Sequence, residues 1–505
     1  ERFRPQIHFS APNYWMNDPN GLVYYNGVYH LFYQCNPHGI DFGVMYWCHA
    51  ASQDLVHWCN LPVALHPNSL GMIFSGSAVV DVNNVTGLQK PEQKCDNLIA
   101  LYTQNLVLNN KDATLNPLQQ QSLAYSADNG VSWKTYKYNP ILKNPGIQNF
   151  RDPKVITYNG AYIMLIAAGD RIIFYYSHNL THWTFLSTFG EDSGAHGGVW
   201  ECPDMFQLKL NDMSYWILIV NINPGAPNSG SGTQYFVGQF DGQHFINSNT
   251  KETILWLDYG PDNYAGDSWF GVAGNPVFIG WMSNWLYAAN LTTFPWRGQM
   301  TFVRRLSLKS ASGKIYVASK PHENIKLIYS DKQINLRASQ QCKVLQKLQG
   351  SYAYDVKFRF NLQAHKQINF CLRNAFNEKL CIIYVKQSNL IVLDRSKARF
   401  NQSEVFTSTA KAKRISKSDL MNWRIIIDVS SVELFVDDGL TTMTALYFTK
   451  KPLDIMTVNS DATFCVKPYL VSTANIQPLN SIWQKDSCQL CDQKLLTHKK
   501  CNKVE

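Results

Sequence analysis

The chain has no run approaching the roughly 20 apolar residues that a bilayer crossing needs, so none of its 505 residues reads as a membrane helix. Charge is also sparse. Only 16% of residues are charged, and the net +9 comes from Lys and Arg spread along the chain, most densely in the last third and the tail. No RNA- or DNA-binding motif accompanies them, which argues for a solvated surface and against a nucleic-acid partner. Twelve Cys are far too few for a disulfide scaffold of this length. His8, His30, His38 and His49 lack the H-E-x-x-H spacing of a metal site, and no metal or organic cofactor is expected.

Apolar and aromatic side chains are abundant. Hydrophobic residues make up 45% and aromatics 13%, including 14 Trp and 26 Tyr. That suffices for large cores in more than one domain. All-β cores use such an inventory, and so do sugar-binding clefts. The numbering opens at Glu1 with neither Met nor an apolar leader, and sequons stand at Asn84, Asn179, Asn290 and Asn401. Both features suit a secreted protein whose leader has been removed.

Two patterns recur through the first two-thirds. One is a turn feeding an apolar, aromatic strand, as at Asn26-Gly27 into 28–33, Asp96-Asn97 into 98–102 and Asn159-Gly160 into 161–166, with further strands over 215–220 and 277–282. The other follows it by about 20 to 35 residues: a polar turn leading to an aromatic, over 52–58, 126–133 and 177–183, with a degenerate copy at 241–245. Five such units at blade-sized spacing predict an all-β, five-bladed β-propeller over 1–315.

The pattern lapses over 316–345, which reads as a linker. Strands over 352–360, 424–429 and 432–436, separated by short turns without helices, predict a β-sandwich over 346–484. Cys371 and Cys381 flank a turn at 374–378, so a hairpin would set them opposite each other, either bridged or as two buried thiols. The polar, basic tail over 485–505 holds Cys488, Cys491, His498 and Cys501, compatible with a zinc site, a disulfide or a plain extension.

Three acidic motifs carry the chemistry: Trp15-Met16-Asn17-Asp18-Pro19-Asn20-Gly21, Phe150-Arg151-Asp152-Pro153 and Trp200-Glu201-Cys202-Pro203-Asp204. In the first, Asp18 is followed by Pro19, which cannot donate a backbone hydrogen bond, and by the turn signal Asn20-Gly21, which together hold the side chain at a strand end. Paired carboxyl groups are what glycosidic cleavage requires.

The motifs occur in order with Phe32-Tyr33-Gln34, Trp47-Cys48-His49-Ala50 and Phe74-Ser75-Gly76. Together they make the chain resemble the fructosidases of glycoside hydrolase family 32 over most of residues 5–310, and more weakly to about 484. The resemblance implies a propeller followed by a sandwich. It makes Asp18 the nucleophile, Glu201 the acid/base and Asp152 the group that grips the furanosyl ring. It also implies that Asn17, Gln34, Trp47, Phe74, Ser75, Tyr264, Trp281 and Trp285 line the fructosyl subsite, with Arg151 among its substrate-binding residues. Trp200 and Cys202 beside Glu201 are expected to favour its protonated form.

Three departures bear on subsite shape: Cys48 replaces the Gly of Trp-Gly-His-Ala, 265–269 differs from Ala-x-Gln-Thr-Phe, and Val303-Arg304-Arg305 differs from Pro-Arg-Glu. The expected activity is retaining β-fructofuranosidase action on sucrose. Exo-acting inulinase or levanase activity and fructosyl transfer are the alternatives, and a non-catalytic sugar-binding protein is the competing class. The oligomeric state is not legible in the sequence.

Overall fold

The computed structural model describes residues 1–483 apart from 94, 108–116, 337–342, 349–351, 364 and 461–470. The cysteine-rich tail at 485–505 therefore lies outside the described residues. Strands dominate, and among the described residues no helix is long and apolar enough to cross a membrane.

Among the described residues, 14–321 form five sheets of four or five strands, antiparallel apart from one short pairing and taken up in chain order. Their first strands are Tyr14–Tyr25, Met72–Val80, Phe150–Tyr158, Val199–Leu210 and Tyr264–Ser268. Each packs beside the next, and the fifth returns to the first, so the inner strands close a ring. The short strand Trp296–Arg297 pairs in parallel with Tyr14 and Trp15, tying a late segment to the first sheet.

The turn-and-strand repeat in the sequence corresponds to the second strand of every sheet: Val28–Asn36, Leu98–Leu106, Ala161–Ala168, Met213–Asn223 and Val277–Trp281. The polar-aromatic repeat is the turn into the outermost strand. In three copies a serine hydroxyl accepts from a backbone N–H within the turn, Ser52 from Leu55, Ser126 from Gly130 and Ser177 from Leu180. Such side-chain to backbone bonds replace the ladder where the chain reverses.

Beyond residue 321 two six-stranded sheets face each other across one core, with Val356, Phe358, Trp423 and Leu434 from one sheet meeting Phe370, Ile382, Leu393 and Met456 from the other. In Ala353–Asn361 buried and exposed residues alternate from Val356 onward, as a strand with one wet face requires. Cys371 and Cys381 lie directly opposite on paired strands and form a disulfide.

The expected linker over 316–345 is corrected. Lys314–Pro321 pairs along its whole length with Arg304–Ala311 and completes the fifth sheet, whereas Ile334–Leu336 and Lys343–Lys347 each pair with strands of the following two-sheet domain. Short edge strands of mixed polarity carry little periodic signal, which is why the stretch reads as linker.

Buried ion pairs join the two parts. Arg304, flanked by the departures at Val303 and Arg305 and itself matching the Arg of Pro-Arg-Glu, donates from Nη1 to Asp258 (2.9 Å) and from Nε to Glu433 (3.0 Å). His8 lies between Asp428 (2.7 Å) and Glu433 (2.8 Å). Arg395 reaches back from the C-terminal part to Asp262 (2.6 Å) and the Tyr287 hydroxyl (2.8 Å).

Candidate active site

All five inner strands are interrupted at one level. Pairing with the second strand shifts at Asn17-Asp18, Phe74-Ser75, Asp152-Pro153, Cys202-Pro203 and Ala265-Gly266. A β-bulge re-aims side chains that a regular strand would send to alternate faces. Asp152, Cys202 and Ala265 accordingly have φ of 65°, 42° and 51°. Gly21 (φ 54°) lies in a second register shift of the first strand, between Asn20 and Val23, and a Cβ there would lie 2.7 Å from both Phe32 and Trp47. Only glycine fits.

The bulges deliver the acids to one cavity of about 240 Å³, lined by Asn17, Asp18, Gln34, Phe74, Ser75, Arg151, Asp152, Glu201 and Trp285. Asp18 accepts from the Ser75 hydroxyl at Oδ2 (2.7 Å) and from Asn17 Nδ2 at Oδ1 (3.0 Å). Asn17 is itself held by Trp15 Nε1 (2.7 Å). Behind Ser75, Asn20 donates to its Oγ (3.2 Å) and accepts from Gln34 Nε2 (3.0 Å), so Gln34 supports Asp18 through two intermediates.

Asp152 accepts from the Cys202 backbone N–H (3.0 Å), and its own N–H is held by Thr103 Oγ1 (2.9 Å). Glu201 receives Arg151 Nη2 at Oε1 (2.7 Å) and the Tyr264 hydroxyl at Oε2. Arg151 is braced on its far side by Asn149 Oδ1 (2.8 Å) and Gln119 Oε1 (3.3 Å).

Electrostatics follow from burial. Removal from water, opposed by hydrogen bonds from Ser75 and Asn17 and reinforced by the nearby Glu201 charge, raises Asp18 to about 6. Burial likewise raises Asp152 to about 7, with Arg151 opposing and Glu201 and Asp18 adding to the shift. The Cys202 thiol sits 3.6 Å from a carboxylate oxygen of both Asp18 and Asp152, and burial together with those charges pushes its pKa well up.

Trp47, Tyr264 and Trp281 are fully buried behind the cavity wall and do not line it. Trp47 anchors the Phe74 carbonyl (3.0 Å), Tyr264 holds Glu201, and Trp281 packs against Trp285 with ring centroids 4.9 Å apart. Trp200 points the other way, into the core against Phe236, so the Glu201 carboxyl meets Arg151 and Tyr264 in its place. Cys48 forms a disulfide with Cys35 on the neighbouring strand, which accounts for its departure from Gly.

Sequence reasoning missed Phe42, Asn105, Gln119 and Asn149, which complete the cavity rim. They lie in loops or at strand ends with no local signature. Cys202 stood inside a quoted motif, and its proximity to two carboxylates appears only when the first, third and fourth sheets converge. Among the described residues it is the free cysteine, and no metal-holding cluster of His, Cys, Asp and Glu occurs there.

Residues 8–321 match the family model for the glycosyl hydrolases family 32 N-terminal domain, and 322–476 match that for the family 32 C terminal. The chain is 40% identical over 502 residues to a levanase of Bacillus subtilis (strain 168), covering 96% of this chain and 71% of that one. It is 39% identical over 323 residues to an invertase of Schizosaccharomyces pombe, covering 61% and 53% respectively. The crystal structure of exo-inulinase from Aspergillus awamori is similar with TM-score 0.87 and 34% identity, covering 96% of this chain and 99% of that one. With both domain models matched in order along the length that carries the bulged strands and the two-sheet domain, the chain belongs to glycosyl hydrolase family 32.

Proposed function

We propose that the protein is a retaining β-fructofuranosidase built on a five-bladed propeller with a sandwich behind it, and that it removes terminal fructosyl units from sucrose and related fructosides. The observation that carries the reading is the convergence of Asp18, Asp152 and Glu201 on one cavity, with Ser75 and Asn17 on the first and Arg151 and Tyr264 on the last. Five sheets whose inner strands close a ring support the blade count.

Asp18 attacks C2 of the fructosyl unit while Glu201 gives its proton to the departing glycosidic oxygen, leaving a fructosyl ester on Asp18. Water then attacks C2, Glu201 takes the proton, and fructose leaves with its configuration retained. Asp152 holds two ring hydroxyls through charge-assisted bonds. The Arg151 guanidinium offsets the crowding of three acids.

Sucrose is our assigned substrate: segments 221–227, 234–238 and 295–297 look like those of invertases, and exo-acting inulinases and levanases share much of the same sequence. A second reading, exo-attack on fructan ends, is favoured by the likeness to a levanase over 96% of the chain, against 61% for the invertase. Disulfides, Cys35–Cys48 and Cys371–Cys381 among them, and four sequons support an extracellular setting.

Incubation with sucrose, raffinose, inulin and levan, at low and high sucrose with products resolved by size, tests the assignment. Equal glucose and fructose at both sucrose levels supports the invertase assignment. Faster attack on inulin or levan, or trisaccharide dominating at high sucrose, would move it to exo-fructanase or transferase. Binding without release of reducing sugar would leave only a sugar-binding protein.

A further inference from the structure

Below the acids lies a second tier of charge that the mechanism does not use. The register of the third, fourth and fifth sheets makes the correspondence explicit. Arg151, Glu201 and Tyr264 are the last paired residues before the bulge, opposite Ala167, Asn221 and Trp281. Lys154, Asp204 and Asp267 are the first paired residues after it, opposite Leu165, Ile219 and Ile279. The same three strands therefore carry two trios, three residues apart.

Each trio is joined internally. In the upper one Arg151 and Tyr264 both donate to Glu201. In the lower one the Lys154 ammonium is paired with Asp204 (3.1 Å) and with Asp267, and donates to the Ser268 carbonyl (2.8 Å). Asp204 Oδ2 also accepts from the Ser268 N–H (2.9 Å), so the fourth and fifth strands are bonded to each other as well as to Lys154. All three lower side chains are buried. A small cavity separates the tiers, bordered by Asp152 and Cys202 above and by Lys154 and Asp267 below.

Inner strands of neighbouring sheets share no continuous ladder, and each bulge adds local freedom, so something must fix their relative height. A cation shared by two carboxylates from two other strands does this, and it is sensitive to length because a buried ammonium left unpaired is strongly disfavoured. We propose that Lys154 is a positioning residue for the catalytic carboxyl groups: its ammonium locks the three strands in register and so keeps Arg151 and Tyr264 on Glu201. This rests on the fructosidase reading above, and it adds a trio that touches no substrate. The departure at Asp267, where the family pattern has Gln, belongs to this lower tier.

The test compares Lys154→Met and Lys154→Arg with wild type on sucrose and on a fructoside whose leaving group needs no proton. Misplacement of an acid by a fraction of an ångström is expected to cost roughly 10- to 100-fold. In Lys154→Met, kcat on sucrose should fall by that factor and kcat on the activated fructoside by clearly less, because the Glu201 proton is what has been mislaid. The pH profile of the rate on sucrose should also change in the same variant. Arg, which keeps the charge, should restore part of both.

The groups facing Lys154 whose charges would contribute to any pH shift are Asp204 and Asp267 beside it and Asp152 and Cys202 across the small cavity. Should Lys154→Met fail to fold, Asp267→Asn, which leaves Lys154 paired with Asp204, must show the same unequal loss in weaker form. Equal losses on both substrates, or wild-type kcat and pH profile in a folded variant, would overturn the proposal. A wild-type protein that hydrolyses neither fructoside would instead overturn the fructosidase reading and this inference with it.

Discussion

Asp18 and Asp152 are carboxyl groups held where a carboxylate is poorly solvated, and their ionisation opposes folding. Asp18 stands at about 6 against an ordinary 3.8, because burial and the Glu201 charge outweigh Ser75 and Asn17. A raised acid binds its proton more tightly in the folded state, so the cost is absent below about pH 4, grows as pH rises through about 6, and is complete at pH 7. Asp18→Asn should therefore abolish turnover and also raise thermal stability at pH 7, by on the order of 1–3 kcal/mol. The gain should vanish near pH 4, and thermal denaturation at both pH values checks it; a loss of stability at pH 7 would contradict the electrostatic account. The rate should fall on the acid side near pH 6, as the Asp18 and Asp152 cluster takes up a proton, with an apparent value belonging to the cluster. Cys202 is shifted in the same direction. Its thiol stays protonated at neutral pH, so alkylation by iodoacetamide at pH 7 should be slow even though the residue is only half-buried.

The inner strands show at the scale of one element why the site is harder to read than the fold. Turn-plus-apolar repeats marked the second strand of every sheet, since those strands are regular and buried. The first strands escaped the same search because a bulge sets two residues against one and erases the period of two that identifies a strand. What remained legible was the break itself: Asp18-Pro19, Asp152-Pro153 and Cys202-Pro203. The bulge at Phe74-Ser75 has no proline, and its necessity lies in the next residue, since a Cβ on Gly76 would meet the Leu101 carbonyl oxygen at 2.1 Å. Gly76→Ala should cost about 2–4 kcal/mol by forcing the first two strands of that sheet apart, and it should displace Ser75 from Asp18. A melting temperature and sucrose rate unchanged from wild type would show that the strands tolerate the separation. Phe42, Asn105, Gln119 and Asn149 were illegible for another reason, since only the closure of the ring brings them to one rim.

Across the whole molecule, the interface between the two parts is built on charges far apart in sequence, which no local pattern reveals. His8 has a carboxylate on each ring nitrogen, so both nitrogens donate and the ring is held as imidazolium. Burial alone would lower its pKa, but the bonds to Asp428 and Glu433 raise it to about 9. Glu433 is held down to about 2, burial being outweighed by Arg304 and His8. The His8 contribution is complete below about pH 6.5 and lost as pH rises through about 9, whereas that of Glu433 is complete above about 4.5 and lost toward 2. His8→Gln should therefore lower stability by about 2–3 kcal/mol near pH 6 and by progressively less toward pH 10. A deficit independent of pH would mean that packing, and not charge, is what His8 supplies. The claim on which all of this converges is that Asp18 becomes covalently fructosylated with Glu201 as its acid. The most direct measurement is to incubate Glu201→Ala with a fructoside carrying an activated leaving group and to locate the trapped sugar by peptide mass. The account predicts a fructosyl ester on the peptide containing Asp18, absent when Asp18 is also replaced by Asn. Turnover without any adduct, releasing fructose of inverted configuration, would contradict it.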